Sequence, residues 1–142
     1  MSNIPFVREL LGAMAEGRLD DALDFLSDEI HWEVAGDLAF CGPHVGKRAL
    51  RDNLFAVIDA HYVPGTAKIE ILDMFEDVAR SLVITQIAES ADVVGGGRVD
   101  AKLASFFFIV DGKVAKVQEF VDLRPLARML DQSSRPALAG AA

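Results

Sequence analysis

The sequence predicts an α+β fold in which helices gather on one face of a bent, mostly antiparallel sheet. Three observations carry this. Residues 97–123 form two β-rich runs around Asp111-Gly112, a dipeptide whose readiness for positive φ suits a tight hairpin. Two more alternating runs, over 67–75 and 78–89, precede that hairpin and meet at the acidic pair Glu76-Asp77. Ahead of them most apolar residues recur at helical spacing, so helices and strands are largely segregated along the chain.

In chain order, Pro5 suits the first turn of a helix capped by Asn3, with Phe6, Leu10, Ala13 and Met14 on its stripe and Gly17 at its end. Leu19, Ala22, Leu23 and Leu26 mark a second short helix that stops near Ser27-Asp28. Residues 30–34 read as a strand, whose alternation buries Ile30, Trp32 and Val34 and leaves His31 and Glu33 in water. The span 35–46 carries Gly36, Gly42, Pro43 and Gly46 and reads as a loop anchored by Phe40. Over 47–61, Leu50, Leu54, Val57, Ile58 and His61 share one side of the strongest predicted helix, which Pro64-Gly65 breaks. Gly95, Gly96 and Gly97 turn the chain into the terminal hairpin, and Leu123 opens a last helix with Pro125 in its first turn and Leu126, Met129 and Leu130 on its apolar side.

A chain of 142 residues is the size of one domain with a real core, assigned here to 1–132, followed by a flexible tail over 133–142. With 22 acidic against 14 basic residues and a net charge of −8, nucleic-acid phosphates are poor partners. No apolar run is long enough to cross a bilayer, and the N-terminal residues lack a basic region followed by an apolar core, so the expected compartment is the cytoplasm. The single cysteine, Cys41, and three histidines without paired spacing give no metal-ligand set.

One residue breaks the pattern of the last strand. Ala115, Val117 and Val121 share a face with Glu119, where an unpaired charge is costly and the protonated acid is favoured. Glu119 is therefore the leading candidate for proton chemistry. On the other face, Phe106, Phe108 and Phe120 form an apolar patch suited to a symmetric homodimer.

The helix pair around GRLDDALDFL, the strand HWEVAG, the Gly42-Pro43 to Gly46 loop entering KRALRDNL and the hairpin ending DGKVAKVQEFVDL together resemble the SnoaL-like and ketosteroid-isomerase-like members of the nuclear transport factor 2 (NTF2-like) superfamily. The resemblance covers nearly the whole chain. It implies a cone, a strongly curved sheet packed around a long helix with a deep apolar pocket inside, and frequent homodimers. It also implies that Glu33 and His31 face that pocket, against the alternation argument. A strand in a cone can have both faces covered, so the resemblance is preferred here.

Residue by residue, the resemblance carries over unevenly. An acid at the Glu119 place acts as a base in SnoaL-type cyclases, and that match survives. The two oxyanion donors of the steroid isomerases fall at Leu10 and Ser105, and leucine cannot donate. The arginine and second aspartate of limonene-epoxide hydrolases fall at Ile87 and Glu89, so that triad is not reproduced. The expectation is a cofactor-free, metal-free enzyme of isomerase, cyclase or hydrolase type acting on a small hydrophobic carbonyl or cyclic compound. Its catalytic candidates are Glu119, Glu33 and His31, and its pocket lining is Leu54, Thr85, Leu103, Ser105 and Phe107. A module that binds a ligand without chemistry, or one that only dimerises, is the alternative.

Overall fold

The computed structural model describes residues 1–133. Helix α1 (Ile4–Ala15) carries Pro5 in its first turn as expected and buries Val7, Leu10, Leu11 and Ala13. Asn3 makes no side-chain cap. Instead Glu76, from a distant strand, accepts the Asn3 backbone N–H at 2.6 Å and the Ser2 hydroxyl at 2.7 Å. A carboxylate is favoured there because it meets free N–H groups at the positive end of the helix.

Helix α2 (Leu19–Asp24) is shorter than its stripe implies. Leu26 leaves it to open strand β1 (Leu26–Val34), where it pairs with Val114, so its burial comes from the sheet. Within the expected loop, strand β2 (Gly42–Val45) forms antiparallel to β1. Pro43 is tolerated because β2 is an edge strand.

The long helix α3 runs through three segments, Lys47–Leu50, Arg51–Phe55 and Ala56–Asp59, of which the middle one is a π turn. A π turn carries one more residue per hydrogen-bonded ring, which resets the faces of the residues after it. Leu50 and Leu54 are buried from it, and Val57 and Ile58 pack half-buried against the core.

Strands β3 (Lys68–Asp77), β4 (Leu82–Asp92), β5 (Arg98–Val110) and β6 (Lys113–Val121) form successive hairpins. The first turn falls after the acidic pair, ending at Ser81 with φ 50°, because Glu76 and Asp77 still pair with Val83 and Leu82. The last turn is the expected one, with Asp111 at φ 50° and Gly112 at φ 75°. The six strands lie in the order β2-β1-β6-β5-β4-β3, a curved and unclosed mixed sheet in which β1 and β6 run parallel and every other pair is antiparallel. Helix α4 (Leu123–Ser133) then buries Leu126 and Met129. Of the tail expected over 133–142, Ser133 belongs to this helix and 134–142 lie outside the described residues.

Trp32, Phe40, Phe107, Leu10 and Leu50 belong to one core between the inner face of the sheet and the helices. Among the described residues no helix is long and apolar enough to cross a membrane.

Candidate functional site

Inside that core lies a cavity of about 170 Å³. Its apolar wall includes Trp32, Leu54, Phe55, Ile58, Leu103 and Leu126, and its ionisable groups are Asp59, Tyr62, Glu89 and Glu119. Strand β6 delivers Glu119 because it lies two residues beyond buried Val117 on the same face, after a register shift between Val114 and Lys116 that turns Val114 inward as well, and register sets Glu119 opposite Ser105 on β5 and beside Val34 on β1.

Two donors hold the carboxylate. The Trp32 indole Nε1–H donates to Oε1 at 2.5 Å and the Ser105 hydroxyl donates to Oε2 at 3.2 Å. Trp32 is itself fixed edge-on by Phe55, with ring centroids 5.4 Å apart, and by Phe107 at 6.2 Å. Burial pushes the Glu119 carboxyl up to about 7; the Trp32 bond opposes this, the charge of Glu89 adds to it and the Ser105 bond again opposes it. Desolvation wins because two hydrogen bonds do not replace the hydration of a full charge.

A second acid stands on the same lining. The Tyr62 hydroxyl donates to Glu89 Oε1 at 3.1 Å. Burial raises Glu89, the Tyr62 bond lowers it and Asp59 raises it further. Burial likewise raises Asp59, and it raises the Tyr62 phenol together with the charge of Glu89. Among the described residues no Lys, Arg or His lines the cavity, and no group of three or more His, Cys, Asp or Glu is placed to hold a metal ion.

The expected site residues divide three ways. Glu119, Leu54 and Leu103 line the cavity, and Ser105 reaches it through its bond to Glu119. Thr85 and Phe107 are fully buried but are not among its lining residues; Thr85 pairs with Ser105 across β4 and β5, and its hydroxyl has no partner among the described residues. His31 and Glu33 are exposed on the far side of β1, so their placement in the pocket is corrected. The alternation argument holds there, because Trp32 and Val34 take the inner face and leave His31 and Glu33 to the outer one.

Trp32, Asp59, Tyr62 and Glu89 line the cavity but were not read from the sequence as site residues. Trp32 read only as core, Tyr62 as part of a helix-breaking segment, and Asp59 carried no signal. Glu89 did carry one, since it ends the apolar face of Val83, Thr85 and Ile87 just as Glu119 interrupts its own.

The fold and this placement of acids inside a curved sheet define an NTF2-like protein. Three solved structures share the fold over nearly their whole length. An NTF2-like protein of unknown function from Burkholderia pseudomallei superposes with a TM-score of 0.80 at 16% identity, over 91% of this chain and 98% of that one. PrhC from Penicillium brasilianum gives 0.80 at 17% identity, over 92% and 87%. Bal32a, from a soil-derived mobile gene cassette, gives 0.76 at 23% identity, over 89% and 95%. A comparison with curated proteins found no match. The model of the SnoaL-like domain matches residues 7–117, and the chain belongs to that family.

Proposed function

We propose that the cavity is an active site in which Glu119 moves a proton to or from a carbon atom of a small hydrophobic carbonyl or cyclic compound, without a cofactor. The observation that carries this is a carboxylate held by two fixed donors on the wall of a largely apolar cavity. A base titrating near neutrality is matched to removing a proton from carbon at working pH. Trp32 and Ser105 orient the carboxylate and limit the energy lost to reorganisation as it gains or loses charge. The donor role that the sequence had offered to His31, Thr85 and Ser105 does not pass to Tyr62, whose single hydroxyl proton is given to Glu89. Isomerase, cyclase and hydrolase outcomes all use this proton transfer and differ in what the substrate does next.

Screening small carbonyl and cyclic compounds for turnover tests the proposal. The wild type converts at least one, and Glu119→Gln, of nearly the same volume, lowers kcat by at least a hundredfold, the lower range of a general base's contribution. Unchanged turnover in that variant removes the catalytic role. Binding with no conversion across the screen favours a ligand-holding module instead.

The same reading assigns the outer face of the sheet to a second copy of the chain. Phe75 and Phe120 are 48% and 53% exposed there, and Phe106 meets Phe120 edge-on at 5.7 Å. Lys116 lies beside His31 and Gln118 beside Glu33 on that face, so a two-fold axis can set each lysine toward a glutamate.

A further inference from the structure

The cavity has a charge imbalance that catalysis by Glu119 alone does not use. Its described lining holds Glu89, Glu119 and, at a solvent-exposed edge, Asp59, with no cationic side chain, and none of these three acids is in a salt bridge of the kind that pairs Asp52, Asp77 and Asp100 on the surface. Glu119 accepts bonds from Trp32 and Ser105, and Glu89 accepts one, from Tyr62 on Oε1. A carboxylate offers about four acceptor positions. Glu89 Oε2 therefore has acceptor capacity that no described residue fills, in a residue that faces the enclosed space.

The rest of the wall suits the same kind of guest. Trp32, Phe40, Phe55 and Tyr62 surround the space, and aromatic faces attract cations most strongly where water is excluded. The acids do not converge as a metal-ligand set, so the complementary charge is organic. Size limits it further, because a cavity of roughly 150 Å³ takes a molecule like benzene, close to the 170 Å³ here.

We propose that the ligand of this cavity carries a positively charged nitrogen on an apolar body about the size of one ring, with the nitrogen donating to Glu89 Oε2 and facing Glu119. This rests on the reading of the cavity as a small-molecule site and narrows its substrate to amine-bearing compounds. Burial favours the protonated forms of Glu119 and Glu89 in the absence of a counter-charge, and binding such a cation draws them toward their charged forms, so protons are released on binding. The groups that set this balance are Glu119 from β6, Glu89 from β4, and Asp59 and Tyr62 from α3 and the segment after it, while Lys68, Arg98 and Lys102 line a neighbouring hollow that Glu89 also borders, together with Glu70, Asp100 and Asp122.

Trp32 is the single tryptophan of the chain and lines the cavity, so its fluorescence reports occupancy there. The probes are benzylamine, benzyl alcohol and benzoate, which share a ring and differ in charge. Benzylamine is expected to bind at least tenfold more tightly than benzyl alcohol at pH 7, with benzoate weakest, and calorimetry in two buffers at that pH should register proton release for the amine only. Glu89→Gln is expected to remove most of the preference while leaving benzyl alcohol binding within twofold, and Glu119→Gln, checked for folding by circular dichroism, to reduce it as well. Equal or tighter binding of benzyl alcohol overturns the cation assignment and leaves the cavity reading standing. If none of the three perturbs Trp32 at millimolar concentration, the small-molecule site itself fails, and the cation assignment with it.

Discussion

At the scale of the residue, the argument turns on how an acid behaves when the sheet takes it out of water. The unfolded chain titrates Glu119 near 4.5 and the folded chain near 7, so between these values the folded state holds a proton that the unfolded state has lost. Stability is then full below about 4.5, falls as pH rises toward about 7 and levels off above it. Glu119→Gln should flatten that slope and stabilise the protein at pH 8 by up to the order of 3 kcal/mol, as measured by urea unfolding across pH. An unchanged slope would mean that the acid is solvated. Trp32→Phe keeps most of the packing and deletes one donor, so the Glu119 midpoint should rise by about 1–2 units, from the ~1.5–3 kcal/mol typical of a hydrogen bond to a charge. Glu119 was legible because a strand's period of two leaves no place for a carboxylate on an apolar face. Glu89 carried the same signal at the end of its run, but the family likeness read it only as part of a triad whose arginine is replaced by Ile87, and so it was not among the candidates. His31 and Glu33 went astray in the opposite direction, since a family likeness was allowed to overrule an alternation that the fold obeys.

At the scale of the element, hairpins joined by local turns were the most readable parts. Asp111 and Gly112 both adopt positive φ, and a Cβ on Gly112 would meet nothing within 4 Å, so a substitution there acts on the backbone alone. Gly112→Ala should cost about 1–2 kcal/mol, and Gly112→Asn clearly less, because asparagine tolerates the left-handed region. Equal losses in thermal unfolding would show that the turn is held by something other than its local conformation. Elements defined by distant partners were not readable. β2 has only four residues and exists because β1 offers it an edge. The cap of α1 comes from Glu76 rather than Asn3, some seventy positions away in the chain. The π turn of α3 left no mark in the apolar spacing, yet it lies in the stretch that brings Leu54 and Phe55 to the cavity wall.

At the scale of the whole molecule, the class of fold followed from the order of helices and strands, whereas the parallel pairing of β1 with β6 did not. That single long-range pairing is what sets Trp32 beside Glu119, because it places Val34 in register with Glu119 and Trp32 with Val117. The outer face makes its own prediction. The wild type should sediment as a dimer at micromolar concentration and Phe120→Asp as a monomer, since a charge at the centre of an apolar contact costs several kcal/mol when unpaired. A monomeric wild type would remove the second copy and leave the cavity untouched. The central claim, that an acid held between Trp32 and Ser105 is withdrawn from water and poised to exchange a proton near neutrality, is tested most directly by following the side-chain carboxyl carbon of Glu119 through a pH titration by NMR, assigned by its absence in Glu119→Gln. A midpoint near 7 is predicted. A midpoint in the ordinary range of an exposed glutamate, about 4.3, would contradict it.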